Sequence, residues 1–405
     1  MAVPSSLARD ISPPRRLKRR KTSGIASPEE IYTPISNIEP TLAAIEAGKA
    51  KIDDHLAYFQ SHLAEACRKT LPDVPRLSLG GFSKLYYSNQ HHRGHHFVIH
   101  QHNHPKAGVH YDLRLQFSES SSMSFAIPKG LPANPNSRSI GRMAIETRVH
   151  NYWNHLIESA SSKTGSLLIW DTGTYQVLPR KKEGRGIPSP QTSDDEINVS
   201  DSEDEISKSP AKTADGGKPE NEKLISAFQT RYIRLRLHGT RLPKGYTIIL
   251  RLPSNEIIKR PTARRKSKQK QHVPRQLGSD VDSDAEQSQV QEPDPEEDLD
   301  TDTEEDAQTR ASNAYPGSTN DIGSIHQRHW FLQLDRQNSG FVLDQSGDEK
   351  GKWIRGKHGG GFEPFLVRGR DHERSVVTGR LAKEVESDEG VEGFVGRGGW
   401  VGIEH

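Results

Sequence analysis

Cysteine is nearly absent: Cys67 is the only one in 405 residues. A single thiol excludes an intramolecular disulfide framework and fits a reducing compartment. Apolar residues are also scarce, at 31% of the chain with a mean hydropathy of −0.81. That is too little to bury one core of this length, so a large part of the chain is expected to stay unfolded around one core domain. No apolar run approaches the roughly 18–20 residues needed to span a bilayer, and no secretory signal opens the chain, so no membrane partner is expected. A dominant charge is lacking too: the net charge is +2, and it conceals strong blocks of both signs.

What the chain holds in excess is histidine at one place. Eight of its nineteen histidines fall between His91 and His110. The stretch 96–117, HFVIHQHNHPKAGVHYDLRLQF, has two runs of alternating character around the loop Asn103-His104-Pro105-Lys106-Ala107-Gly108, whose Pro and Gly are turn residues. If the second run is a strand, Val109, Tyr111, Leu113, Leu115 and Phe117 share one face, and His110, Asp112, Arg114 and Gln116 share the other. His100 and His102 share a face of the first run, and a hairpin brings His102 close to His110. Two imidazoles and a carboxylate are a sufficient ligand set for a divalent transition metal, with positions left open for substrate. A neighbouring Arg suits a phosphate or carboxylate held on that metal. The plainer expectation is the wet face of a half-exposed hairpin, which so dense a histidine cluster argues against. His91, His92, His95 and His96 are read as a basic, metal-sticky surface loop and given no catalytic role.

Along its length the chain reads as a core interrupted by polar blocks. Residues 1–37 form a basic, disordered tail whose run at 13–21, PPRRLKRRK, suits nuclear import or a nucleic-acid arm. Within 38–72, Ile45, Ile52, Leu56, Phe59 and Leu63 recur at helical spacing and predict an amphipathic helix docked on the core. Short alternating or apolar runs at 123–130 (ending in a Pro-Lys-Gly turn), 142–150 and 165–171 join the hairpin in a first barrel part over 80–178. A Ser-, Pro- and acid-rich disordered insertion follows over 179–225, with a stretch at 200–205 that resembles an acidophilic kinase site. Strands resume over 226–258, where Arg234 and Arg236 share a face. Residues 259–322 form a second disordered insertion, basic over 259–270, then acidic over 279–306 with fourteen carboxylates and no Lys or Arg. A last core strand is expected within 323–345, and 346–405 is a Gly/Arg-rich C-terminal region, similar to a nucleic-acid-binding segment or a flexible linker. The expected fold class is mainly β: a compact β-barrel with short peripheral helices and long disordered insertions.

The order FVIHQH…VHYDLRLQF, SFAIPKG, RMAIE…H, LLIWDTGTY and LHG resembles the 3′-phosphoesterase domain of bacterial DNA ligase D. The likeness covers residues 95–175, with a weaker continuation through 231–252 and 330–334. It implies a compact β-barrel and a metal-dependent enzyme, best with manganese, that heals DNA 3′ ends. Such enzymes remove a terminal ribonucleoside and then the remaining 3′-phosphate, leaving a 3′-OH. Carried over by motif, His102, His110 and Asp112 would be the metal ligands, Arg114 would contact the scissile phosphate, and His150 would be a candidate general acid. Lys129 and Arg142 would match basic positions lining the site. Where the family has a tyrosine four residues beyond His150, this chain has Asn154, with Tyr152 close by. The segment 158–164 replaces a Pro- and Gly-rich loop, the loop between His102 and His110 looks longer than usual, and the family's N-terminal Arg-Asp pair is not placed. No polymerase or ligase signature is present, so a DNA ligase would act in trans. The import-like run suggests a eukaryotic, nuclear version.

Two other readings compete. His110, Asp112 and a distant His150 also match the two-histidine, one-carboxylate site of non-haem iron oxygenases. A non-catalytic adaptor that keeps the barrel and binds DNA ends through basic tails is the third.

Overall fold

The alternation in the histidine-rich stretch is realised as a hairpin. β1 (His96–His104) and β2 (Gly108–Gln116) pair antiparallel, with His102 directly opposite His110 and His100 opposite Asp112. The turn between them places Gly108 at φ +75°, a conformation open to a residue without Cβ. The computed structural model describes residues 52–180, 217–253 and 311–403, apart from 348, 349, 357 and 358, together with Leu42, Ile45, Ala50 and Thr309. The tail over 1–37, the kinase-like site at 200–205 and the charged blocks at 259–270 and 279–306 lie outside the described residues.

The hairpin is part of a closed wall. β3 (Ser121–Ile127), β4 (Gly141–Glu146), β7 (Gly165–Val177), β8 (Tyr232–Gly239), β9 (Thr247–Arg251) and β10 (His329–Leu334) complete an antiparallel barrel in the order β1-β2-β3-β4-β10-β9-β8-β7, and β7 pairs back onto β1. Closure leaves those eight strands no free edge. β5 (His150–Asn151) adds to β3, β6 (Ser159–Ser161) adds to β7, and β11 (Phe341–Leu343) with β12 (Trp353–Arg355) forms a separate ribbon.

Period-two alternation decides what each face holds. Phe97, Ile99, Tyr111, Leu113, Leu115, Phe125, Trp170, Leu237, Leu250 and Trp330 meet in the main hydrophobic core. Each such side chain contributes roughly 1.5–3 kcal/mol through burial. The opposite face of β1 and β7 is covered as well: Val98 and Ile169 join Phe59, Leu63, Phe82, Tyr86, Tyr152 and Leu156 in a second cluster. β2 is itself buried along its whole length, unlike a half-wet hairpin.

Four helices are described. α1 (His55–Ala66) starts where the Asp54 carboxylate accepts a hydrogen bond from the Ala57 amide, and turns Phe59 and Leu63 inward. It is shorter than the helix expected over 38–72, although Leu42 and Ile45 upstream are buried in the same cluster. α2 (Leu79–Asn89) is capped by Ser78 and contributes Phe82 and Tyr86. α3 (Glu220–Gln229) buries Leu224 and Phe228, and α4 (Ala382–Asp388) buries Val385.

Three stretches read as disordered or loose are folded. Residues 220–225 belong to α3 because Leu224 and Phe228, one helical turn apart, both find the core. Residues 311–322 are held by the buried Ala314 and Ile322 and by the Asn320 side-chain amide, which donates to the Ser312 and Ser324 carbonyls. The Gly/Arg-rich C-terminal region packs on the barrel through Phe362, Val367, Val376, Val377 and Val385. Its fully buried Arg380 meets the fully buried Glu158 at 3.0 Å. These contacts join residues more than two hundred positions apart, beyond the reach of a local composition signal.

Candidate active site

The site lies on the outer side of the wall, where β1, β2 and β3 meet the segment that follows β5. His102, His110 and Asp112 come together there, with one ligand atom from each all within 4.8 Å of one another. Backbone carbonyls set both imidazoles. His102 Nε2–H donates to the Thr164 carbonyl at 2.8 Å, and His110 Nδ1–H donates to the Gly108 carbonyl at 3.0 Å. The remaining ring nitrogens, Nδ1 of His102 and Nε2 of His110, each lie 3.4 Å from a different oxygen of Asp112. Carbonyl-oriented imidazoles are the usual outer support of a metal site. Lone pairs of two neutral rings and a carboxylate converging in this way fit a divalent transition metal. Among the described residues this is the one His/Cys/Asp/Glu group with such geometry, and His150 is not in it, which removes the ligand set that the iron-oxygenase reading needs.

Charge sharpens the arrangement. Burial alone would raise Asp112, but His110, His102 and Arg114 together outweigh it and hold the carboxyl well below the usual range. Burial lowers His110, and Asp112 opposes that shift. His104 is lowered to about 4, first by burial and then by His102 and His110. Its Nδ1 accepts from the Lys106 and Ala107 amides and so closes the turn.

Arg114 stands on the same face as Asp112, with Nη2 3.6 Å from Oδ2. Its Nε and Nη1 are buried without a hydrogen-bond partner. His150 reaches the same face from another strand: it pairs with Ser122, which pairs in turn with Gln116. Burial, followed by the Arg114 charge, pushes His150 well below the ordinary histidine range. Its ring lies 4.8 Å from that of Tyr315.

Two expected site residues do not join the cluster. Ile145 pairs with Ala126, which pairs with Asp112, so those three share a face and Arg142, three residues from Ile145, points to the other. The Arg142 guanidinium donates instead to the Ser139 and Gly141 carbonyls. Lys129 is exposed in the turn after β3. Tyr152, close to Asn154 in sequence, is buried, stacked on Tyr86, and its hydroxyl donates to the Tyr86 carbonyl and not to a residue of the cluster.

The structure also adds residues. His100, on the face of His102, is fully buried and donates from Nε2 to the Ile157 carbonyl at 3.2 Å. His96, read from the sequence as part of a surface loop, instead opens β1 and is fully buried, as is His155, with their Nδ1 atoms 2.8 Å apart. Alternation places His96 and His100 with His102, but no periodic signal marks His155, which sits in a 3-10 turn, Tyr152–Leu156.

Comparison with known proteins gives a consistent likeness. The chain is 36% identical over 86 residues to the multifunctional non-homologous end joining protein LigD of Mycobacterium bovis. The same figures hold for the multifunctional non-homologous end joining DNA repair protein LigD from two strains of Mycobacterium tuberculosis. The matched segment is 20% of this chain and about a tenth of the length of those relatives. Residues 100–250, which carry His102, His110, Asp112, Arg114 and His150, match the family model of the DNA ligase D 3′-phosphoesterase domain.

Proposed function

We propose that this chain is a metal-dependent phosphoesterase that heals DNA 3′ ends, removing a 3′-ribonucleoside, a 3′-phosphate or both to leave a 3′-OH. The observation that carries this reading is the convergence of the His102, His110 and Asp112 ligand atoms beside a buried arginine with unspent donors. The match of residues 100–250 to the 3′-phosphoesterase domain model supports it. Manganese is the proposed ion, the nucleus the proposed location, and a DNA ligase acting in trans the proposed partner. When bound by His102, His110 and Asp112, the metal supplies positive charge that polarises a phosphoryl oxygen and activates water.

The chain's own groups divide the remaining work. Arg114 holds the phosphate by a forked guanidinium and stabilises the charge that grows on its oxygens. His150, kept neutral by burial and Arg114, donates a hydrogen bond to the phosphate; negative charge arriving with substrate moves it back toward the protonated form. Lys129, exposed and outside the cluster, is left with a role in attracting the nucleic acid.

The test is direct. Purified protein is incubated with a primer-template ending in a 3′-ribonucleotide or a 3′-phosphate, with and without manganese. Manganese-dependent appearance of a 3′-OH end supports the proposal. Ends that are bound but chemically unchanged point to the adaptor reading instead.

A further inference from the structure

The buried face beside Arg114 holds polar atoms that the metal cluster does not use. Val98 is the direct cross-strand partner of Arg114, and His96 and His100 flank Val98 on the same side of β1. The chain segment 155–157 is pinned over this row, because His155 bonds His96 and the Ile157 carbonyl bonds His100.

The hydrogen atoms in the row can be assigned one by one. The Thr172 hydroxyl donates to the Phe97 carbonyl at 3.0 Å, so its oxygen accepts from His96 Nε2–H at 2.8 Å. The only hydrogen of a neutral His96 ring is then spent, and its Nδ1 must accept from His155 Nδ1–H. That leaves His155 Nε2 as a bare acceptor, fully buried and without a partner. The same reasoning applies to His100: its Nε2–H goes to the Ile157 carbonyl, and its Nδ1 is bare, buried and unpartnered. Beside this row, across from Val98, Arg114 has two buried donors without partners, Nε and Nη1. Burial, followed by neighbouring histidines and Arg114, keeps His155 neutral.

We infer that His155 is a positioning residue for Arg114, its bare Nε2 accepting from one buried water that bridges to the guanidinium, with His100 Nδ1 as the second acceptor. This deepens the proposed function and rests on its reading of Arg114 as the phosphate contact. The physical advantage is specific. Unpartnered buried donors and acceptors are costly, and a bridging water satisfies both. A neutral imidazole also orients a guanidinium without neutralising it, which a second carboxylate in the same place would do. Arg114 then keeps its charge for phosphate while its fork is fixed from behind.

Two substitutions separate the two ring nitrogens of His155. His155→Asn can place its amide N–H where Nδ1–H bonds His96, but it has nothing at the Nε2 position. His155→Gln places an oxygen near the Nε2 position and gives up the bond to His96. Inorganic phosphate is titrated calorimetrically into the full-length protein with manganese present, and manganese affinity is measured separately. His155→Asn should weaken phosphate binding by about tenfold or more, as losing the outer support of a site group commonly does. His155→Gln should recover most of that loss, and manganese affinity should be the same in both. In an Arg114→Ala background the effect of His155→Asn should vanish, since the two act as a unit. Asn behaving as wild type while Gln fails would assign His155 a purely structural bond to His96 and overturn the inference. Should the variants not fold, nitrogen-15 spectra of the wild-type imidazoles decide the matter: an Nε2 that carries hydrogen on His155 overturns the inference, and a bare one supports it. None of these measurements needs turnover. A protein without 3′-end activity would therefore sink the functional reading while the Arg114 coupling is judged on its own.

Discussion

Asp112 is the side chain on which the site turns, since both imidazoles and Arg114 approach its two oxygens. Removing either histidine leaves that carboxylate with half of its ligand partners. His102→Ala and His110→Ala should each fail to retain manganese through gel filtration, as measured by metal analysis, and the thermal transition of the metal-free protein should move by only a few degrees. Full retention in both would dissolve the proposed centre. Arg114→Ala should keep the metal and lose about 3 kcal/mol of transition-state stabilisation in kcat/KM on a 3′-phosphate end. Arg114→Lys should recover only part, because an ammonium cannot reproduce a fork. Wild-type turnover in the alanine variant would take Arg114 out of the site. Buried histidine also predicts an acid limb. His96 is lowered to about 3 by burial, with His95 adding to the shift, whereas an unfolded histidine titrates near ~6.5. The unfolded chain binds the proton first, so this contribution to stability is whole above about 6.5 and drains away as pH falls toward about 3. His100 and His155 are shifted the same way by the same leading cause. Calorimetry of the metal-free protein should show the melting temperature falling by several degrees from about pH 7 to about pH 5. A flat profile would mean that these rings are not buried in neutral form.

Among elements, the C-terminal region shows why composition is a poor guide to order. Glycine and arginine there suggest a loose, nucleic-acid-binding tail, yet Arg380 is fully buried against Glu158. Ser375 and Thr378 add hydroxyl donors to the same carboxylate. α4 is tied to the hairpin as well: Glu386 accepts from Asn103 of β1, Ser166 of β7 and Arg370. Nearby, Glu373 accepts from the Tyr111 hydroxyl and from Gln101. Arg380→Ala strands a buried carboxylate and should cost about 3–5 kcal/mol in urea unfolding. The double change Glu158→Gln with Arg380→Met should cost distinctly less, because no uncompensated charge remains. Equal losses would mean that the pair matters only for packing volume.

At the scale of the whole molecule, the barrel closes through strands far apart in sequence. β10 pairs with β4 and β9, and β8 pairs with β7 and β9. The charged blocks therefore interrupt a single closed sheet. Replacing residues 181–216 and 254–308 with short Gly/Ser loops should preserve the thermal transition and any 3′-end activity, since closure entropy changes slowly with loop length. Loss of cooperative unfolding in that variant would show that part of the core had been removed.

The residues that share the ligand face were legible in the sequence alone. A strand alternates with period two whatever surrounds it, so His100, His102, His110, Asp112 and Arg114 sort to one side before any long-range contact is known. The mainly β class was legible for the same reason, from short alternating runs and their turns. Tertiary structure decided what local pattern cannot carry. Cross-strand pairing brought His150 to the site face and turned Arg142 away from it. The 3-10 turn, which has no periodic signature, laid His155 over the row beside Arg114. The polar C-terminal stretch acquired order only because Glu158 waited for Arg380 on a wall built more than two hundred residues earlier.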